Sequence, residues 1–174
     1  MAEVFVNSQT RAAGIVTTST GGAIGVTTTI ITGISTAGVA VGYMIDNQHF
    51  RGGAKVSALG SSQVTVDKTS TNTASAASQT VRFMGPTTCY TSPSSTKSIL
   101  IGGTYANLTN NSVNMFVELK SGSTHTGIAN DIPVPTGSSF VISDAGKTVM
   151  AGDDEIRVYV DTDSAIDVTM GILQ

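Results

Sequence analysis

The stretch EIRVYV, residues 155–160, alternates apolar and polar side chains and decides the fold class. Successive side chains of a β-strand point to opposite faces of the sheet, so the three aliphatic residues share one face, while Arg157 and Tyr159 share the other. The stretch VNMFVEL, residues 113–119, repeats the pattern, with its first, third, fifth and seventh residues on the apolar side. One buried face and one wetter face is typical of antiparallel sheets, and both stretches predict such strands.

The rest of the chain carries the same signal and almost no helical periodicity. Short β-branched runs alternate with Gly, Pro, Asn and Ser clusters, spaced by about 8 to 12 residues as in β-sandwiches. The predicted strands are residues 3–7, 13–18, 23–34, 39–45, 54–59, 63–68, 79–84, 88–91, 98–107, 113–120, 124–130, 138–143, 155–161 and 165–173. We therefore predict an all-β protein built on an antiparallel β-sandwich of the jelly-roll or immunoglobulin-like kind.

Composition limits the partners that the chain is expected to have. The 174 residues include 26 Thr and 20 Ser, while only 12% of the residues are charged. A surface of hydroxyls and amides suits broad and permanent protein contacts, so homo-oligomers are expected. The net charge of -3 gives no basic surface, and the absence of Trp removes the best stacking platform, so no nucleic-acid partner is expected.

The first residues, MAEVFVN, have neither a basic segment nor a long apolar core, and no stretch reaches the roughly 20 apolar residues of a membrane span. We expect a protein that is made in a cytoplasm and has no membrane partner. Composition breaks at the polar residues 69–78 and at Gly85-Pro86 predict three parts. They are an N-terminal arm over residues 1–30, a small β module over residues 31–84 and a β-sandwich over residues 85–174. Residues 23–34 fit either a strand added to a neighbouring sheet or an internal pairing.

Two segments resemble known proteins. Residues 31–83, with GVAVG at 38–42 and VSALGSSQVTV at 56–66, resemble a small β module common in bacteriophage virion proteins. YTSPSSTKSILIGGTYANL at 90–108, DIPVPTGSSFVISDAGKTVMAGDDEIRVYV at 131–160 and SAIDVTMGILQ at 164–174 are similar to a C-terminal β-sandwich of tailed-phage structural proteins, especially those of marine cyanobacteria.

This resemblance implies a virion structural protein, most simply an outer capsid decoration or cement protein. A neck component, or a tail or fibre component that binds a host receptor, is the alternative. The implied partners are the major capsid protein or neck and tail proteins, and the implied location is the virion. The resemblance carries over no catalytic residue, and we expect no enzyme activity and no cofactor.

The candidate chemical groups have plainer explanations. His49 and His125 are far apart in turn-like sequence, and no Gly-x-Ser-x-Gly elbow accompanies them. The Ser-x-x-Lys sequence at residues 94–97 follows Pro93 with no helix behind it. Cys89 is alone and is expected to be a small buried apolar residue.

Three further patterns have a structural interpretation. Asp161, Asp163 and Asp167 have the first spacings of a calcium loop, but lack the Gly and Glu that such loops need later, so a polar turn is favoured over a cation site. The Asn-x-Thr/Ser sequences at Asn107 and Asn110 are expected to be turns. The Gly102-Gly103 pair inside a predicted strand indicates a bulge or a close backbone approach. No residue is therefore predicted as a catalytic group, a cofactor ligand or a metal ligand.

Overall fold

The computed structural model describes residues 3–143 and 147–174, which form fifteen β-strands and no helix. The strands are β1 (Phe5–Ala13), β2 (Ile15–Ile24), β3 (Ile30–Thr32), β4 (Met44–Asp46), β5 (Val56–Leu59), β6 (Gln63–Val66), β7 (Ala76–Gly85), β8 (Thr87–Thr91), β9 (Ser98–Asn107), β10 (Val113–Ser121), β11 (Thr124–Val134), β12 (Ser139–Ile142), β13 (Thr148–Met150), β14 (Glu155–Val160) and β15 (Ile166–Leu173). All strand pairings are antiparallel, so the predicted all-β class is confirmed. Among these residues there is no helix of the length and hydropathy that a membrane span requires.

The chain divides into two compact units. The first contains the described residues up to Gly14 together with residues 87–174, and the second contains residues 15–86.

The first unit is a sandwich of two antiparallel sheets. One sheet has the strand order β1-β15-β9-β12, and β13 also pairs with β9. The other has the order β11-β10-β14-β8. Both sheets contribute apolar side chains to one core, where the largest fully buried ones include Tyr105, Met115, Ile156 and Met170. The apolar faces predicted for residues 113–119 and 155–160 lie in this core, where only Leu119 is partly buried, so their assignment is confirmed.

The second unit is a six-stranded sheet with the order β4-β7-β2-β3-β6-β5. Its core is aliphatic with two phenylalanines, and is centred on Ile31, Val64, Val81 and Phe83, none of which has measurable exposure.

The three-part division expected from the sequence differs from the one in the structure. The boundary near residue 85 agrees closely, but residues 1–30 do not form one arm. Strand β1 is an edge strand of the sandwich, paired with β15, and β2 belongs to the second unit. The two strands separate at Gly14, whose φ of +132° favours glycine and where a Cβ would overlap the carbonyl oxygen of Thr162. The pairing of β1 was missed because its inward residues, such as Ser8 and Thr10, are polar.

The predicted single strand over residues 23–34 is wrong. Ile24 ends β2 and Ile30 begins β3, and the two strands form a hairpin in which Ala23 faces Thr32. Of the two open alternatives, the structure therefore has the internal pairing. The intervening turn places Thr27 at a φ of +48°, which is unusual for a β-branched residue, so residue type does not predict a turn at this position.

Three smaller expectations also need correction. The strand predicted over residues 39–45 shrinks to β4, because Gly38 and Gly42 adopt positive φ angles and turn the chain. Strand β13 was not predicted, since three residues are too few for a visible alternation. Tyr159, expected on a wetter face, is fully buried.

Candidate interaction surface

The outward side of the five-stranded sheet carries an exposed row of apolar side chains. Phe5 lies opposite Leu173, Leu173 opposite Ile99, and Ile99 opposite Val149, so the row crosses four strands. Phe5 is 73% exposed and Val149 61% exposed, while the two central residues are half-buried. Removing such surface from water is favourable by roughly 25 cal/mol per Å², so the row is a candidate contact region.

The two neighbouring rows are flat and uncharged. In the first, Asn7 lies opposite Gly171, and Gly171 opposite Gly102. In the second, Thr169 lies between Gln9 and Thr104. Val141 extends the second row and is 56% exposed.

We call these three rows the uncharged face. Its members are Phe5, Leu173, Ile99, Val149, Asn7, Gly171, Gly102, Gln9, Thr169, Thr104 and Val141. Charged side chains border the face at both ends: Glu3 precedes Phe5 by two positions, and beyond Gln9 and Thr169 the Asp167 Oδ1 accepts a hydrogen bond from the Ala12 N–H at 2.8 Å.

The flatness of this face depends on the predicted irregularity at Gly102-Gly103, which is confirmed. Gly171 faces Gly102 but Ile172 faces Leu100, so Ile101 is an extra residue in β9. A Cβ at Gly102 would approach the Ile142 carbonyl oxygen to 2.9 Å, so β12 lies close against β9 here. The bulge sets which β9 side chains point outward.

The outward side of the four-stranded sheet has the opposite character, and we call it the charged face. Glu155 accepts hydrogen bonds from Lys120 Nζ at 2.7 Å, from Arg157 Nε at 2.8 Å and from the Thr88 hydroxyl at 3.1 Å. Burial alone would raise the pKa of Glu155, but the hydrogen bonds from Lys120 and Arg157 outweigh burial and lower the pKa from 4.5 to about 2. The negative charge of Glu155 is therefore paired with the positive charges of Lys120 and Arg157 within the same sheet.

A buried carboxylate lies beside that network. Glu118 is only 4% exposed, and its Oε1 accepts a hydrogen bond from the Tyr159 hydroxyl at 2.8 Å. His125 Nδ1 lies 2.7 Å from the same oxygen. Burial, reinforced by the Glu118 charge, raises the pKa of Tyr159, so this hydroxyl keeps its proton and donates a hydrogen bond to Glu118.

The two histidines occupy different units. His125 follows the tight turn of the β10–β11 hairpin, as the sequence predicts. His49 lies in a turn of the second unit, where its N–H donates to the Asn47 side chain at 2.9 Å. The Ser-x-x-Lys sequence also lies in a turn, closed by a hydrogen bond from Thr96 N–H to the Pro93 oxygen at 3.0 Å.

Two carboxylates of the acidic loop accept hydrogen bonds from within the protein. Asp161 Oδ1 accepts from the Thr162 hydroxyl at 3.0 Å, and Asp167 is the partner of Ala12 described above. No three His, Cys, Asp or Glu side chains come together to hold a metal ion within residues 3–143 and 147–174. The nearby residues 151–154 form a turn that connects β13 of one sheet to β14 of the other.

Two further expectations are confirmed. Cys89 is buried in β8, and burial raises the pKa of its thiol to about 11. Asn107 anchors a turn, because its side-chain amide donates to the Asn111 and Val134 oxygens at 2.7 and 2.8 Å.

The second unit has an open groove of about 890 Å³ along residues 67–73. Hydroxyl side chains such as Thr27 and Thr71 line it together with Arg51, and no aromatic side chain is among its lining residues. Such a lining lacks the ring face on which sugars usually stack.

Comparison with known proteins identifies no relative. No protein-family model matches the chain, and neither the curated proteins nor the solved structures contain a match. The fold and the two faces therefore carry the functional argument.

Proposed function

We propose that this chain is a non-enzymatic structural protein of a bacteriophage particle, and that it decorates or cements the outer capsid by packing against other virion proteins. The observation that carries the proposal is the uncharged face. It presents an apolar row, two pairs of hydroxyl or amide side chains, and a glycine pair over which another backbone can approach closely.

The cost of removing water decides which face a partner can cover. Burying an unpaired charge is costly, whereas burying apolar groups and hydroxyls that find hydrogen-bond partners is not. The uncharged face can therefore be covered by a broad partner surface without leaving a charge stranded. Interface cores are depleted of charged residues in the same way.

The phage assignment rests on the resemblance of residues 31–83 and 90–174 to virion modules. The low content of charged residues, 12%, fits a permanent contact better than long-range steering. The capsid is proposed as the site of attachment, with the neck, tail or fibre as the alternative.

The test is quantitative mass spectrometry of particles purified from the virus that encodes the chain. Decoration predicts a copy number on the order of hundreds, set by the symmetry of the capsid lattice. A copy number of roughly a dozen or fewer is what a single closed ring of subunits contains, and would favour a neck or fibre role over capsid decoration. Absence of the chain from the particles would overturn the proposal.

A further inference from the structure

Strand β1 exposes an unused row of main-chain hydrogen-bonding groups. Val4 and Gln174 exchange two backbone hydrogen bonds, at 3.0 and 2.9 Å, and the regular register continues from there to Thr10 opposite Val168. Hydrogen-bonded pairs alternate along an antiparallel ladder, so the N–H and C=O groups of Phe5 and Asn7 point away from β15. The N–H and C=O groups of Gln9 also point away from β15. Within the described chain, β15 is the only strand that pairs with β1.

This edge lacks the features that usually block strand addition. At the edge of the other sheet, β11 has two register shifts, a positive φ at Asp131 and Pro133, which has no N–H to donate. Strand β1 contains no proline, and its register is regular from Val4 to Thr10, because its register shift and the positive φ of Ala12 both lie beyond Thr10. Edge strands without bulges, prolines or inward charges readily pair with another strand.

The side chains along this edge are complementary to those of a second copy. When two β1 strands pair antiparallel with Asn7 on the twofold axis, Phe5 of each copy faces Gln9 of the other. Glu3 of each then faces Arg11 of the other, so opposite charges meet twice. Moving the axis to Ser8 places Phe5 opposite Arg11 and loses both charge pairs.

We propose that two copies of this chain associate through β1, about a twofold axis at Asn7. The strand order becomes β12-β9-β15-β1-β1-β15-β9-β12, so each uncharged face continues into that of the other copy. Such isologous pairing is the commonest symmetry of homo-oligomers. The inference goes beyond the proposed function, because it holds whatever larger assembly the dimer joins.

The first test is disulfide trapping of the full-length chain. Residues of a hydrogen-bonded antiparallel pair have Cα atoms about 5.5 Å apart, which a disulfide spans. Asn7→Cys should therefore form a crosslinked dimer under mild oxidation. Thr169→Cys is the matched control, because it lies on the same face but one strand inside the edge. Buried Cys89 should stay reduced in both variants. Equal crosslinking of the two variants, or none with Asn7→Cys, would overturn the inference.

The second test is a charge swap, measured by sedimentation velocity. Glu3→Arg and Arg11→Glu should each weaken the dimer roughly tenfold, because each places two like-charge pairs opposite one another. The double variant Glu3→Arg/Arg11→Glu should restore dimerisation. A monomeric wild-type chain, or single variants that dimerise as wild type does, would reject the β1 pairing. The presence of the chain in particles is measured independently, so this result and the virion proposal fail separately.

Discussion

The two outward faces of the sandwich unit are opposites, although both belong to antiparallel sheets of similar size. On the charged face, Glu155 is bonded by Lys120, Arg157 and Thr88, and buried Glu118 is bonded by Tyr159. On the uncharged face, the side chains are apolar, hydroxyl or amide, and Phe5 and Val149 remain mostly exposed. The carboxylates of the charged face are hydrogen-bonded within the sheet, whereas the uncharged face leaves apolar side chains exposed to water.

The difference indicates that the charged face stabilises the fold and that the uncharged face is available for contact with a partner. A network of mutually bonded charges contributes to the folded state and would lose its hydration if a partner covered it. A flat uncharged face contributes little to folding and loses little when it is covered. We therefore expect substitutions on the charged face to change stability, and substitutions on the uncharged face to change assembly.

The largest effect on stability is expected for Glu118→Ala. This substitution removes the acceptor that Tyr159 and His125 share in a buried site, and should lower the free energy of unfolding by about 3 kcal/mol. Urea denaturation of the full chain measures the change. Thr169→Ala, on the uncharged face, is the control and should change the free energy by no more than about 0.5 kcal/mol. Equal effects of the two substitutions would contradict the comparison.

An intermediate effect, with a defined pH dependence, is expected for Glu155→Gln. The pKa of Glu155 is about 2 in the folded chain against 4.5 for the ordinary group, so its contribution to stability is complete above pH 4.5 and is lost as the pH falls through about 2. At neutral pH the substitution should cost about 1 kcal/mol. Denaturation midpoints at a series of pH values should fall less steeply for the variant between pH 4.5 and 2. Parallel pH profiles would show that the network does not hold this carboxylate.

The smallest effect on stability is expected for the double variant Val141→Asp/Val149→Asp. Both side chains are exposed on short outer strands, so the free energy of unfolding should change by no more than about 1 kcal/mol in total. Thermal denaturation followed by circular dichroism measures it. A larger loss would mean that these valines stabilise the fold and that their exposure does not mark a contact surface.

The fold class was readable from the sequence because a few strands alternate strongly. Residues 113–119 and 155–160 place large aliphatic side chains at every second position, and those side chains fill the core. The strand predicted over residues 3–7 covers only the start of β1, and its continuation to Ala13 was missed because the inward Ser8 and Thr10 are polar. The β2–β3 hairpin was hidden for a different reason, since the residue with a positive φ in its turn is the β-branched Thr27, and Gly25 alone does not mark a turn within an apolar run.

The uncharged face could not be predicted from sequence patterns. Phe5, Ile99, Val149 and Leu173 come from four strands that are distant in the chain, and only the strand register aligns them. That register depends on the bulge at Ile101, which the Gly102-Gly103 pair indicates but does not place. The hydrogen-bonded pair of Glu118 and Tyr159 likewise joins residues 41 positions apart.

The incorporation of charged variants into particles tests most directly whether the uncharged face attaches the chain to its partner. Val141→Asp/Val149→Asp places two carboxylates on the uncharged face, and Thr124→Asp/Thr126→Asp places two on exposed positions of β11. Each variant competes with wild-type chain during infection, and its share in purified particles is measured by mass spectrometry. If the uncharged face is the contact surface, the valine variant is excluded from particles while the threonine variant is incorporated as wild type is. Equal incorporation of the two variants would contradict it.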